Sequence, residues 1–317
     1  MADHITLSKR AFSAAEAAGW PLLQPAAEPS VPEPPSGQSW PTVSIVTPSF
    51  NQGSYLEKTI RSVLQQGYPN LEYIIIDGGS DDESVDIIKK YEHLLTCWVS
   101  EKDQGQSHAV NKGLAKTDGE LLGWLNSDDY YMPGALFKLA KAYLDAPSHG
   151  AFYGQGHIIN EQKKIMYTPD LVQVTRESLF EWMRGKNFMQ PSCLFTRAAW
   201  KNCGPLDENI HIALDVDLWF KIADKYAFQQ IDDLLSVALA HPGAKTTAFQ
   251  KHMLVDLSFV FLKHGGEIQA RQTLDELCDR FAECETQLIA LNNTVAGRCG
   301  RLVKKILLAV KNKLLAT

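Results

Sequence analysis

Paired cysteines are missing from this sequence. Its six cysteines (Cys97, Cys193, Cys203, Cys278, Cys284 and Cys299) are scattered, and no two are spaced as CxxC. That excludes a disulfide scaffold, argues against a zinc site and makes a reducing compartment the plainest setting. No run of about 18 apolar residues occurs, so no membrane-spanning helix is expected. Met1 to Ala15 has no apolar stretch and carries Asp3, His4, Lys9 and Arg10, so no secretory signal is expected. Positive charge is in deficit: 31 Lys and Arg stand against 37 Asp and Glu, a net charge of −6. A general nucleic-acid binder is therefore not expected. Two phosphate-binding fingerprints are also absent. There is no GxxxxGK followed by Ser or Thr, and no GxGxxG after a strand. Phosphate charge, if it is handled, falls to a metal and side chains rather than to a glycine cradle.

What is present is ordinary for a globular chain: 317 residues, 45% hydrophobic and 21% charged. The length suits one large α/β domain with appendages, or two domains. Six of the fifteen prolines fall within residues 21–35 (Pro21, Pro25, Pro29, Pro32, Pro34 and Pro35), which marks extended linker. A short helix is expected at 7–19. After Trp40 the pattern changes. Val43 to Thr47 reads as a strand ended by Pro48. Leu56, Ile60, Val63 and Leu64 recur at helical spacing, and Tyr73 to Ile76 form a continuous apolar run. A helix near 82–92, a strand at Cys97 to Val99, a helix from Gln106 to Ala115 and a strand from Leu121 to Leu125 follow. Alternation at this spacing predicts a doubly wound, mostly parallel sheet flanked by helices. Further on we expect strands near 151–159, 191–196 and 228–232, a helix at 215–226, and helix from 250 to 295. The expected divisions are an N-terminal extension (1–40), a catalytic domain (41–250, with halves 41–150 and 151–250) and a helical C-terminal region (251–317).

In doubly wound sheets, ligands bind beyond the carboxyl ends of the strands. Ser49, Asn51, Asp77, Asp103, Asn126, Asp128 and Asp129 fall at those ends. Clustered carboxylates repel one another unless a cation sits among them, and Mg²⁺ usually takes one or two carboxylates plus substrate phosphates. A metal–diphosphate site is one reading. The other is that each aspartate caps the turn or helix that follows it.

The segment VSIVTPSFNQGSYLEKTIRSVLQQGYPNLEYIIIDGGSDD, followed by SEKDQGQSHAVNKGLAKTDGELLGWLNSDDYYMPGAL, resembles the nucleotide-binding half of family-two inverting glycosyltransferases of the GT-A fold. QPSCLFTRAAWKNCGPLDENIHIALDVDLWFKIA resembles their acceptor half, so the resemblance covers roughly residues 41–245. It implies that Thr47, Pro48, Ser49 and Asn51 border the nucleoside. It places Asp77 beside base and ribose, with Asp103 and Asn111 lining the same pocket. Asn126-Ser127-Asp128 falls at the DxD position, where Asp128 binds Mn²⁺ or Mg²⁺ bridging two phosphates and Asp129 follows as a second acid. Asp215 falls at the general base. In the polar loop His241 to Thr247, His241 would ligate the metal or touch phosphate and Lys245 would neutralise the diphosphate; an ordinary surface loop is the alternative. Trp182, Arg184, Asn187, Met189 and Gln190 would shape the sugar and acceptor pocket. Three positions depart from the usual family pattern: Gly78 replaces a second Asp that reads uracil, Asn126 the first DxD acid, and Leu214 the Glu before the base.

The chemistry supports this assignment independently. Inverting transfer needs one base for the acceptor hydroxyl, and a Lewis acid replaces a general acid when the leaving group is a diphosphate. The expected activity is a metal-dependent inverting transfer of sugar from a nucleotide-diphospho-sugar donor. The expected acceptor is a hydroxyl of a glycan or lipid-linked acceptor, in bacterial surface polysaccharide synthesis. A nucleotidyltransferase and a non-catalytic nucleotide-sugar-binding protein are the rivals. Residues 296–317 carry six cations (Arg298, Arg301, Lys304, Lys305, Lys311 and Lys313) and no acid, which leaves −12 on the rest of the chain. Leu302, Val303, Ile306, Leu307, Val310 and Leu314 recur at helical spacing. Such a helix suits an anionic membrane surface, or packing on a domain or partner. The expected location is cytoplasmic, peripheral on the inner face of the cell membrane.

Overall fold

The computed structural model describes residues 31–35, 37–245, 250–293 and 300. The helix expected at 7–19, the start of the proline-rich linker and all of the basic tail except Gly300 lie outside those residues. The chain forms two compact units that part between Asp256 and Leu257.

The first unit is built on a nine-stranded sheet. Its first half is parallel: β1 (Val43–Ser49), β2 (Leu71–Asp77), β3 (Cys97–Ser100) and β4 (Leu121–Trp124) stand in the order β3-β2-β1-β4. Parallel neighbours need crossovers, and these are α1 (Gly53–Leu64), α2 (Ser84–Tyr91) and α3 (Gln106–Leu114). Helices on both faces leave β1 buried along its whole length, which is why it reads as an unbroken apolar run. The register runs from Val43 opposite Leu71 to Ser49 opposite Asp77, so the carboxyl ends of β1 and β2 are level.

Strand β1 does not end at Pro48 as expected. It continues to Ser49, with Pro48 opposite Ile76. The reason lies in alternation. The carbonyl of Val46 accepts from Leu125 on the β4 side, so Pro48, two residues on, also faces that side. The pairing with β4 has already stopped at Trp124, so the missing N–H of Pro48 costs no ladder bond.

The second half comprises β5 (Tyr130–Tyr131), α4 (Ala135–Asp145), β6 (Ala151–Asn160), β7 (Ile165–Tyr167), α5 (Arg176–Leu179), β8 (Cys193–Thr196), α6 (Arg197–Cys203), α7 (Leu214–Ala223) and β9 (Phe228–Ala240). The sheet continues β4-β8-β6-β9-β5, with β7 on β6. Strand β8 runs antiparallel to β4. Strand β9 was expected to stop at 232 and instead reaches Ala240. Asp232 and Asp233 interrupt its apolar pattern, but the register slips there against Gln155 of β6 and pairing resumes. Its far half pairs with β5, Tyr130 opposite Val237 and Tyr131 opposite Ser236. Stacked Trp124 and Trp219, 5.9 Å apart and 11° from parallel, join β4 to α7. Helices α8 (Gln250–Lys263) and α9 (Glu267–Asn293) follow.

Helix α3 lies close on the parallel strands because Gly113 faces them. A Cβ there would come 2.4 Å from Val46 Cγ1 and 3.2 Å from Ile76 Cγ1. We predict that Gly113→Ala overpacks this contact and costs about 1–3 kcal/mol, read as a lower urea midpoint.

Candidate active site

The site lies where the strands of the parallel half end. After β1, Asn51 takes the left-handed conformation at φ 51°. Its N–H donates to Ser80 Oγ at 2.8 Å and its Oδ1 accepts from the Asp81 N–H at 3.0 Å, which ties the β1 and β2 loops together. Asp77 is fully buried at the end of β2. Its Oδ2 accepts from Gly79 N (3.1 Å), Ser80 N (2.9 Å) and Ser100 Oγ (2.7 Å), and its Oδ1 from Ser80 Oγ (2.5 Å). Four donors in the protein therefore occupy this carboxylate, which shapes the loop from within. Thr47 is likewise buried, with Oγ1 bonded to Tyr73 Oη at 3.0 Å. Ser49 is buried and its Oγ has no protein partner.

At Gly78 the departure from the family pattern acquires a physical meaning. A Cβ built there would stand 2.9 Å from Asp103 Oδ2 and 3.2 Å from Oδ1. The carboxylate of Asp103 thus fills the space of a side chain at 78. Its Oδ1 is held by the Gly105 N–H at 2.8 Å.

The turn after β4 carries Asn126, Ser127, Asp128 and Asp129. Ser127 is buried. Asp129 is buried too and turns into the protein, accepting from Asn126 Nδ2 at 3.0 Å and from the Leu239 N–H at 3.4 Å. Burial, then the charge of Asp128, pushes its carboxyl well above the usual carboxylate range. Asp128 stays at the surface of the pocket. Its Oδ2 lies 3.0 Å from Nε2 of His241, with Asp128 16% and His241 3% exposed. The pairing of β5 with β9 makes this contact, since Asp128 immediately precedes β5 and His241 immediately follows β9. Tyr55 backs the imidazole, with ring centres 4.2 Å apart.

Lys245 Nζ donates to Gln106 Oε1 at 2.9 Å and to the His211 carbonyl at 3.2 Å. Gln106 Nε2 in turn donates to Asn126 Oδ1 at 2.6 Å. Burial pushes the Lys245 ammonium down, while Asp103, Asp256 and Asp128 pull it back up. Sequence reasoning missed Gln106 and Asp256. Gln106 lies within a quoted motif as a polar residue at a helix start, so a signal existed. Asp256 had none; its Oδ2 accepts from the N–H groups of His211 and Ile212, 45 and 44 residues away, fixing the loop before α7.

Asp215 is the second residue of α7, not its N-cap; that position is Ala213. Its Oδ1 accepts from the adjacent Val216 N–H at 2.9 Å. Burial pushes the carboxyl up to about 6, against the pull of that backbone bond. Asp217 points elsewhere, fully buried and paired with Lys221 at 2.6 Å. Asn111 serves as a brace rather than an open pocket wall. Its amide donates to the Leu206 carbonyl and Glu208 Oε1, each at 3.0 Å, and accepts from Leu206 N at 2.9 Å. Of the residues expected around the sugar, Asn187 bonds the Trp182 carbonyl at 2.8 Å, and Arg184 pairs with Glu181 at 2.7 Å. Gln190 Nε2 bonds the Trp124 carbonyl at 2.8 Å.

Among the described residues no group of three or more His, Cys, Asp or Glu side chains converges as a ready cation cage. Asp128 and His241 offer two donors. Their 3.0 Å separation matches neighbouring ligands on an octahedral ion with bonds of about 2.1 Å. A carboxylate and an imidazole, with phosphate oxygens to complete the shell, fit a divalent ion such as Mn²⁺ or Mg²⁺.

A parallel sheet with carboxylates at its strand ends and a second, antiparallel half carrying a poised acid defines a sugar-nucleotide transferase class of fold. Residues 44–200 match glycosyl transferase family 2, and the chain belongs to that family, with the GT-A fold. It is 29% identical over 191 residues to an uncharacterized glycosyltransferase of Rickettsia typhi, covering 57% of this chain and 58% of that protein. It is 26% identical over 204 residues to the chondroitin synthase of Escherichia coli, covering 63% of this chain and 29% of that one. The matched region thus spans little more than half of the first relative and under a third of the second. In fold, it resembles a mannosyltransferase of Pyrobaculum calidifontis in complex with GDP-Man and Mn²⁺. The TM-score is 0.54 at 18% identity, over 92% of this chain and 91% of that one. No helix among the described residues is long and apolar enough to cross a membrane.

The raised acid of Asp215 carries a stability cost with a definite sign. Its folded value near 6 lies above the unfolded value near 3.8, so the folded state holds the proton more tightly. The associated stability is full below about pH 4 and is lost as pH rises through about 6. At pH 7 the site therefore pays for a buried charge. Asp215→Asn is predicted to raise stability at pH 7 by roughly 1–3 kcal/mol, with the gain vanishing below pH 4. Melting curves of both proteins across pH check this.

Proposed function

We propose that the protein is a metal-dependent, inverting glycosyltransferase. It moves a sugar from a nucleotide-diphospho-sugar to a hydroxyl of a glycan or lipid-linked acceptor in bacterial surface polysaccharide synthesis. The observation that carries the reading is Asp215, a partly exposed carboxylate held near 6 by burial on the wall contributed by the second half of the sheet. A base is most effective with its pKa near the working pH. Asp215 removes the proton of the acceptor hydroxyl as that oxygen attacks the sugar carbon. Asp217 is excluded from the role by its ion pair with Lys221.

Asp128 and His241 are the residues that would hold the divalent ion. When bound, the ion offsets the charge of the diphosphate so that it departs without a protonating acid. Lys245 adds a cation to the same phosphates, releasing Gln106 and the His211 carbonyl as it does so. Asn51, Ser49 and the Asp77-shaped loop border the nucleoside. Asp103, standing where Gly78 leaves room, offers Oδ2 as a hydrogen-bond acceptor toward the base. A donor base other than uracil is compatible with this acceptor, since guanine also presents N–H groups. The printed names of the chondroitin synthase and of the GDP-Man-bound mannosyltransferase support the polymer setting and the nucleotide-sugar donor. The nucleotidyltransferase alternative is disfavoured by the loop after β1, where Phe50 to Tyr55 contains no Lys or Arg.

Two measurements test the proposal. Steady-state transfer should rise with pH through about 6, the printed value for Asp215. Asp215→Asn should lower turnover by about 10²-fold or more and abolish that pH step, with donor affinity retained. Near wild-type turnover in that variant would move the base elsewhere, and binding without turnover in the wild type would favour a sugar-nucleotide sensor. Separately, calorimetry with a nucleoside diphosphate should show that Mn²⁺ strengthens binding to the wild type and not to Asp128→Ala. Equal, metal-independent binding by both proteins would remove the metal from the scheme.

A further inference from the structure

Helix α9 runs for 27 residues, Glu267–Asn293, in the second unit. Its charged residues are Glu267, Arg271, Asp275, Glu276, Asp279, Arg280, Glu283 and Glu285. A helix this long and polar would need no apolar stripe to stay in water. It has one: Leu274, Leu277, Phe281, Cys284, Leu288 and Leu291 recur at alternating steps of four and three residues. That is the a and d pattern of a heptad repeat, which keeps apolar groups on one seam of a two-stranded coil. The stripe is open to solvent: Phe281 is 61% exposed, Leu288 61% and Leu291 64%. From Leu274 to Leu291 it extends about 26 Å along the helix.

We propose that this stripe is an interface with a second copy of the same chain, forming a parallel, in-register two-stranded coiled coil through α9. The choice of occupant rests on charge and register. With Leu274, Phe281 and Leu288 at a and Leu277, Cys284 and Leu291 at d, Arg280 falls at g and Glu285 at e. In a parallel pair a g residue meets the e residue five positions on in the partner. Arg280 of each chain then faces Glu285 of the other, twice by symmetry. The positions away from the seam include Asp275, Glu276, Asp279, Glu283 and Thr286, a surface suited to water. A stripe in phase over the whole length from Leu274 to Leu291 calls for a partner helix of equal length and period, which a second α9 supplies. The inference is independent of the catalytic reading.

The test uses the full chain. Sedimentation velocity at tens of micromolar should show a dimer. Phe281→Glu combined with Leu288→Glu should weaken association by at least about tenfold, with far-ultraviolet dichroism unchanged because both side chains are exposed. Arg280→Glu should weaken the dimer about three- to fivefold, and adding Glu285→Arg should restore it. In a background with Cys278→Ser and Cys299→Ser, copper–phenanthroline oxidation should link two chains through Cys284. A further Cys284→Ser change should prevent this. A monomeric wild type overturns the proposal, and so does a dimer indifferent to Phe281→Glu with Leu288→Glu. A dimer that never links through Cys284 overturns the parallel register. If the wild type is monomeric but binds vesicles containing phosphatidylglycerol, and the double glutamate variant does not, the stripe faces lipid and the proposal fails.

Discussion

The short antiparallel pairing of β5 with the end of β9 is the constraint on which the site depends. Two residues of β5 suffice, because their partners lie at the end of a strand thirteen residues long that is already anchored along β6. The turn before β5 then has nowhere to go but against the residues after β9. Asp128 and His241, 113 residues apart in sequence, meet at 3.0 Å as a consequence. The same pairing buries Asp129 and delivers the Leu239 N–H to it. One acid of the consecutive pair is thereby kept at the pocket and the other is spent inside.

The polar residues around the pocket divide into two kinds. Asp77, Asn51, Asn111 and Asp256 have their hydrogen-bonding capacity taken up by backbone and hydroxyl groups of neighbouring loops. They convert flexible strand ends into fixed ones, since a buried carboxylate or amide is tolerated only when it is satisfied. Asp103, Asp128, Asp215 and Lys245 keep capacity that the protein does not fully use. Their environments differ in a useful way. Asp128 lies beside an imidazole, Lys245 is drawn by three carboxylates, and Asp215 stands where burial raises it without a cation to pull it back. Electrostatic roles thus follow from placement rather than from residue type.

The parallel half was legible in the sequence because each of its strands is buried on both faces and each crossover helix has one apolar face. Those patterns are local, and local patterns survive without tertiary information. Strand β9 was not, because Asp232 and Asp233 break its pattern at the point where the ladder slips. Pro48 misled for a related reason: whether its missing N–H matters depends on which neighbour strand is still present beside it, and that is a property of the sheet.

The order of the motifs determined the class of fold, and the residue types at the strand ends determined that acids would gather at one edge. Sequence alone also marked Asp128, Asp215, His241 and Lys245 as the residues of interest, because each falls in a recognisable run. Only the tertiary structure decided which acids remain available. The distinction between Asp128 and Asp129, or between Asp103 and Asp77, rests on which donors lie within hydrogen-bonding distance. Those donors, such as the Leu239 N–H and Ser100 Oγ, come from parts of the chain that sequence proximity does not connect. A carboxylate's role is set by the free energy of its charged form, and that free energy is a sum over neighbours that exist only once the chain has folded.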